Sequence, residues 1–175
     1  MKDKSQLTAI AYATKYVSIL RLFHCNDQSI KQQAFIYAAS NGCLDALEYM
    51  LTHNDYSTID INDIDSVHGE TALTNAASHG HLNILDYLIT NHQADIDRIN
   101  SREMTPLLLA VKNGMWSCVE YLLDHHASIE HCDKQKRTCL IIAASEGHLA
   151  VIDSLLEKGF FLRIEISLKT KFCFF

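Results

Sequence analysis

The sequence predicts an all-α repeat solenoid, a row of stacked helix-turn-helix units. Three observations carry that reading. A short motif recurs as Ala38-Ala39-Ser40-Asn41-Gly42, Ala76-Ala77-Ser78-His79-Gly80, Ala110-Val111-Lys112-Asn113-Gly114 and Ala143-Ala144-Ser145-Glu146-Gly147, with its glycines 38, 34 and 33 residues apart. Each glycine is followed by an apolar stripe at helical spacing, for example Leu44/Leu47/Met50/Leu51 and Leu82/Leu85/Leu88/Ile89. The 175 residues include only 6 Gly and 1 Pro, fewer turn-formers than a chain of many short strands would use.

Taken in order, residues 1–30 read as a degenerate helix pair. Leu7, Ile10, Ala11 and Ala13 fit one helix, Val17, Ile19, Leu20, Leu22 and Phe23 the next, and Lys15 stands where a repeat glycine would be. Four full units follow, at about 31–65, 66–99, 100–132 and 133–162. Their first helices begin near Gln33-Ala34-Phe35, Thr71-Ala72-Leu73, Thr105-Pro106-Leu107 and Thr138-Cys139-Leu140. A threonine there can cap the N-terminus, and Pro106 suits a first turn whose N–H has no helical acceptor. The alanine pairs keep these helices thin enough for the next unit to approach closely. The glycine supplies the left-handed backbone that ends one helix before an antiparallel one begins. Trp116/Val119/Leu122/Leu123 and Leu149/Ile152/Leu155/Leu156 complete the second-helix stripes, and Trp116 and Cys118 are expected in the core. No unit can bury its apolar face alone, so neighbours must stack. From 163 to 175 the pattern changes to alternation, with Ile164, Ile166, Leu168, Phe172 and Phe174 set between Glu165, Ser167 and Lys171; that period predicts a strand in an apolar tail.

Composition narrows the function. Lys and Arg number 15 against 21 Asp and Glu, a net charge of −6, which argues against a nucleic-acid partner. No uncharged apolar run is long enough to span a membrane, and no secretory leader is read at the N-terminus. The 6 cysteines are scattered, which fits thiols in a reducing, intracellular and cytoplasmic setting. The nearest approach to a metal site is His125, His126, His131 and Cys132, which lacks the paired short spacings zinc uses, so no metal is expected. No cysteine is paired with a base and an orienting group, no loop is built to cradle phosphate, and neither a catalytic residue nor a cofactor is expected. Asp60, Asp63, Asp65 and Glu70 read as a solvated acidic loop in the long first connection, around Asn54–Ile64.

The residues resemble the ankyrin-repeat family. Thr105-Pro106-Leu107 is similar to its Thr-Pro-Leu, Gly80-His81-Leu82 and Gly147-His148-Leu149 to its Gly-His-Leu, and Ala94-Asp95-Ile96-Asp97 to the Ala-Asp-Val-Asn after its second helix. The resemblance covers 31 to about 162 and implies β-hairpin fingers between units. Departures from the pattern carry expectations of their own. Thr74, Leu108 and Ile141 replace the family's histidine, so its helix-tying hydrogen bond should be lost. Glu103 and Lys136 replace a finger glycine, so those fingers should turn less tightly. His81 and His148 should make a helix-terminus hydrogen bond.

The resemblance implies a non-enzymatic protein-protein interaction module whose partner, another protein, lies in a concave groove. Position by position the groove would comprise Ser40 and Asn41 of the first unit, and Val67, His68, Glu70, Ser78 and His79 of the second. The third would add Ser101, Arg102, Met104, Lys112 and Asn113, and the fourth Lys134, Gln135, Arg137, Ser145 and Glu146. These positions avoid the apolar stripes, so their side chains should be available. Arg102, Lys112, Lys134 and Arg137 make the C-terminal half basic, which would suit an acidic partner segment. The runner-up reading is the recruiting portion of a longer protein whose activity lies elsewhere. The apolar tail also raises the prospect of self-association.

Overall fold

In the computed structural model, residues 27–66 and 68–158 are described. The helix pair expected before residue 27, Val67 and the strand expected at 163–175 lie outside them.

Four antiparallel helix pairs follow one another. They are α1 (Gln28–Ser40) with α2 (Leu44–Thr52), α3 (Ala72–His79) with α4 (Leu82–Asp86), α5 (Pro106–Lys112) with α6 (Trp116–Asp124), and α7 (Cys139–Glu146) with α8 (149–158). The caps form where the threonines stand. The hydroxyls of Thr71, Thr105 and Thr138 accept the N–H of Thr74, Leu108 and Ile141 at 3.0, 3.2 and 3.4 Å. The first unit has no such threonine; Asp27 accepts Ser29 N–H at 2.9 Å instead, and α1 starts at Gln28, ahead of the expected boundary.

The first helices pack side by side, α1 on α3, α3 on α5 and α5 on α7. Their alanines make this possible, because Ala38, Ala39, Ala76, Ala77, Ala110 and Ala143 are all fully buried. The second helices form the other row and deliver the larger core residues, among them Leu47, Met50, Ile84, Leu85, Val119 and Leu122. Trp116 departs from the expected core: it is 46% exposed, and its indole N–H reaches across to Ser154 Oγ at 3.0 Å. The position faces the rim of the second-helix row, where a bulky ring has room outside and a polar partner within reach. Cys118 is buried as expected.

The glycine that joins the two helices of a unit is held from the next unit. A Cβ on Gly42 would lie 2.7 Å from the His81 ring, and one on Gly114 2.7 Å from the His148 ring. Both glycines also have φ near +68°, a left-handed conformation. The two histidines use that closeness. Nε2 of His81 bonds the carbonyl of Ser40 at 2.9 Å, and Nε2 of His148 that of Lys112 at 3.0 Å. Each ties the exposed carbonyl end of a first helix to the following unit, so the helix terminus served is the neighbour's and not the histidine's own.

The second unit carries one residue more than the third between its tyrosine and its closing Ala94. The helix absorbs it as a π-helical turn over Tyr87–Asn91. His92 is thereby returned to the Tyr87 ring, with centroids 4.8 Å apart, as His125 stacks on Tyr121 at 4.0 Å and His53 on Tyr49 at 3.7 Å.

Candidate partner-binding groove

Between the helix pairs the chain turns through short fingers. Each is closed by two backbone hydrogen bonds at its opening residue: Asp65 N–H to Glu70 O (2.9 Å) with Gly69 N–H to Asp65 O (3.1 Å), Asn100 N–H to Met104 O (3.0 Å) with Glu103 N–H to Asn100 O (3.0 Å), and Asp133 N–H to Arg137 O (3.2 Å) with Lys136 N–H to Asp133 O (2.8 Å). They are hairpin-shaped turns. Among the described residues no strand forms, and a single antiparallel bridge joins Cys132 and Thr138. The side chain that opens each finger does most of the shaping. Asp65 accepts the N–H groups of His68 and Glu70, Asn100 those of Arg102 and Met104, and Asp133 those of Gln135 and Arg137. An Asx side chain at this position folds the finger from inside.

The fingers lacking glycine are not loosened. Glu103 and Lys136 both sit at φ 61°, close to the 67° of Gly69. The hydrogen bonds from Asn100 and Asp133 hold the backbone in the left-handed region against the side chain's steric preference.

Two concavities lie along the fingers. The first, of about 440 Å³, is lined by Ile36, Tyr37, Ser40, Asp65, His68, Glu70, Asn75, Ser78, His79 and Arg102. The second, of about 450 Å³, is lined by Arg102, Met104, Leu109, Lys112, Asp133, Lys134, Gln135 and Arg137. Arg102 borders both. Eleven of the residues expected from the sequence thus come together in two adjoining hollows. Asn41, Ser101, Asn113, Ser145 and Glu146 line neither, and Val67 is outside the described residues. Asn113 instead donates to the carbonyl and hydroxyl of Ser78 (2.9 and 3.0 Å), and Ser145 to its own helix.

Several expected groove side chains are not available. Met104 is buried. Glu70 is buried too, and its carboxylate takes hydrogen bonds from Thr74, Asn100 and Arg102. Asp65 is likewise buried, with His68 Nδ1 at 3.1 Å, so these two carboxylates are not part of a solvated loop. Thr74, whose hydroxyl also accepts Thr71 N–H at 2.8 Å, keeps in the second unit the helix tie expected to be lost. Arg137 is paired with Asp133, its Nε donating at 2.7 Å. Burial pushes the Asp133 carboxyl up, but the Arg137 N–H and guanidinium, helped by the Gln135 N–H, outweigh it and hold the group below its ordinary value. Lys134 Nζ donates to the Ser101 carbonyl at 3.1 Å, linking successive fingertips. Lys112 and Lys134 remain exposed with no ion pair among the described residues.

Besides Ile36, Asp65 and Asp133, the sequence reading missed three residues in matching register, Tyr37, Asn75 and Leu109. All three stand on first helices five residues before the repeat glycine, one turn ahead of the exposed helix end. The spacing of three from Tyr37 to Ser40 and from Asn75 to Ser78 is the signal that could have found two of them.

Among the described residues, no three His, Cys, Asp or Glu side chains converge to hold a metal ion. Burial pushes the Cys118 thiol up to about 11 and, as the dominant effect, that of Cys139 up to about 12, so neither is a thiolate at neutral pH. No described helix is long and apolar enough to cross a membrane.

The family model described as ankyrin repeats (3 copies) matches residues 7–100 and 92–166. The chain belongs to the ankyrin-repeat family. The match reaches beyond the 31–162 read from the motifs, most of all at the N-terminal side. A search of the curated proteins finds no match. Ankyrin repeats are generally protein-protein interaction modules, and the family is typically non-enzymatic.

Proposed function

We propose that this ankyrin array is a non-enzymatic adaptor that holds an extended, acidic segment of another protein along its fingers. The observation that supports it most is the pair of adjoining hollows, in which fingertip and helix-end residues of successive units line one continuous path. Hydrogen bonds between neighbouring fingers, such as Ser101 N–H to Gly69 O at 2.8 Å, fix that path before any partner arrives. A pre-formed path lowers the ordering cost of binding.

The acidic character of the segment follows from the second hollow. Among the described residues Lys112 and Lys134 have no ion pair, whereas Arg102 and Arg137 face buried carboxylates of their own chain. The chain's net charge of −6 weighs against nucleic acid as the occupant. The scattered thiols fit a reducing compartment, with the cytoplasm as the proposed location.

The structure also decides which substitutions test this. Reversing Arg102 or Arg137 would set two like charges against each other, between neighbouring fingers at Glu70 or inside one finger at Asp133, and damage the fold. Lys112→Glu with Lys134→Glu keeps the hydrogen bonds within each finger and removes only the exposed link from Lys134 to the Ser101 carbonyl. With a partner captured by the wild-type chain, this double variant slows association and flattens its salt dependence. Unchanged association across salt concentrations would rule out the charge-guided groove.

A further inference from the structure

The last described unit exposes apolar positions that earlier units bury or half-bury, most clearly on its first helix. Seven residues before the repeat glycine, Leu73 and Leu107 are buried, whereas Leu140 is 41% exposed. One residue on, Leu108 is fully buried and Ile141 is 51% exposed. On the second helix, Leu51 and Ile89 are half-buried and Leu123 is buried, whereas Leu156 is 54% exposed; at the start of that helix Leu82 and Trp116 are 37% and 46% exposed and Leu149 74%. The glycines show the same break. A Cβ on Gly42, Gly80 or Gly114 would meet His81, Met115 or His148 of the next unit, while one on Gly147 would meet nothing within 4 Å among the described residues. The α7–α8 face therefore has the composition of an inter-unit contact without a described unit against it.

We propose that this face is covered by the chain's own residues 159–175, which act as an intramolecular cap. Three features favour that occupant. The segment follows α8 directly in sequence, so its local concentration at the face is of millimolar order. Its 17 residues include nine Leu, Ile and Phe side chains. Fully extended they reach about 55 Å, several times the spacing of about 10 Å between two packed helices. Charge is complementary as well. The segment carries Arg163, Lys169 and Lys171 against Glu165 alone, and exposed Glu146, Asp153 and Glu157 stand on α7 and α8. The apolar side chains that raise the prospect of self-association are then satisfied within one molecule.

The test uses the full chain and two sets of substitutions. A tail variant carries Leu168→Ser, Phe172→Ser and Phe174→Ser. A face variant carries Ile141→Gln, Leu149→Gln and Leu156→Gln, all at exposed positions, with helical content checked by circular dichroism. Molecular mass by light scattering, binding of the apolar dye ANS and the melting midpoint are read for each variant and for the combination. The expected result is a monomeric wild type, and a tail variant that binds more dye and melts about 4 °C lower. In the combination, the tail changes add little beyond the face changes, the sign of direct coupling. A tail variant without effect on dye or midpoint overturns the proposal, and so do fully additive effects. A dimeric wild type that the face variant alone makes monomeric also overturns it, by assigning the face to a second copy.

Discussion

Glu103 and Lys136 hold a left-handed backbone that costs a residue with a Cβ about 1 kcal/mol or more. Glu103→Gly and Lys136→Gly should therefore each raise stability by about 1 kcal/mol in chemical denaturation; a loss would show that their side chains hold the fingers. Asp133 governs a different dependence. Its folded pKa lies below the ordinary 3.8, so its ionised form contributes stability that is complete above that value and is lost as pH falls through the folded pKa. Asp133→Asn should remove this part of the acid sensitivity. At neutral pH the cost should be below about 1 kcal/mol, because Asn100 already shapes the third finger in the same way and the Arg137 pair is partly solvated. Acid unfolding curves of the two proteins that run parallel below pH 4 would contradict this. These fingers also mark a limit of the sequence. The missing glycines suggested looser turns because the Asx side chain that enforces the turn lies three residues away, and its bonds are a matter of geometry. Glu70 and Arg102 misled for the same reason. Each looks like an available charge until the other is placed beside it.

Helices were the more legible scale. The threonine caps, the alanine pairs and the glycine turns act through local backbone chemistry, so spacing alone located α3, α5 and α7. The register of Tyr37 and Asn75 was equally local and could have been read one turn further back. The π-helical turn was not legible, although its cause was: the glycine spacing of 34 against 33 places one additional residue within the second unit. A sequence gives no reason to put that residue inside a helix in preference to the loop after it. What decides is the edge-on contact of His92 with Tyr87 and the buried Ala94, which fix both ends of the segment. Deleting Asn91 should therefore give a regular α-helix, with the fold kept and the melting midpoint equal or higher, because a π turn is an uncommon conformation. A fall of more than about 2 kcal/mol, the size expected for a disrupted core, would show that the π turn itself is required.

At the scale of the molecule, four pairs of helices gain their core from one another, and the same stacking aligns the fingers into a path. The architecture was legible because it repeats, so that four copies of a weak signal agree. The path's composition was legible only in part. Eleven expected residues meet there, but burial and pairing remove Met104, Glu70, Arg102 and Arg137 from the side chains open to a visitor. What remains is a basic second hollow on an acidic protein, and the account rests on that hollow being where a partner binds. The direct measurement is quantitative capture from cell extract by three baits: wild type, Lys112→Glu with Lys134→Glu, and a control that reverses a single exposed charge on the second-helix row, Asp153→Lys. The account predicts a protein retained by wild type and by the Asp153 variant but depleted about tenfold or more by the lysine pair, a change of roughly 1.4 kcal/mol. A protein lost with Asp153 and kept without the two lysines would place binding on the opposite side of the stack and contradict the account.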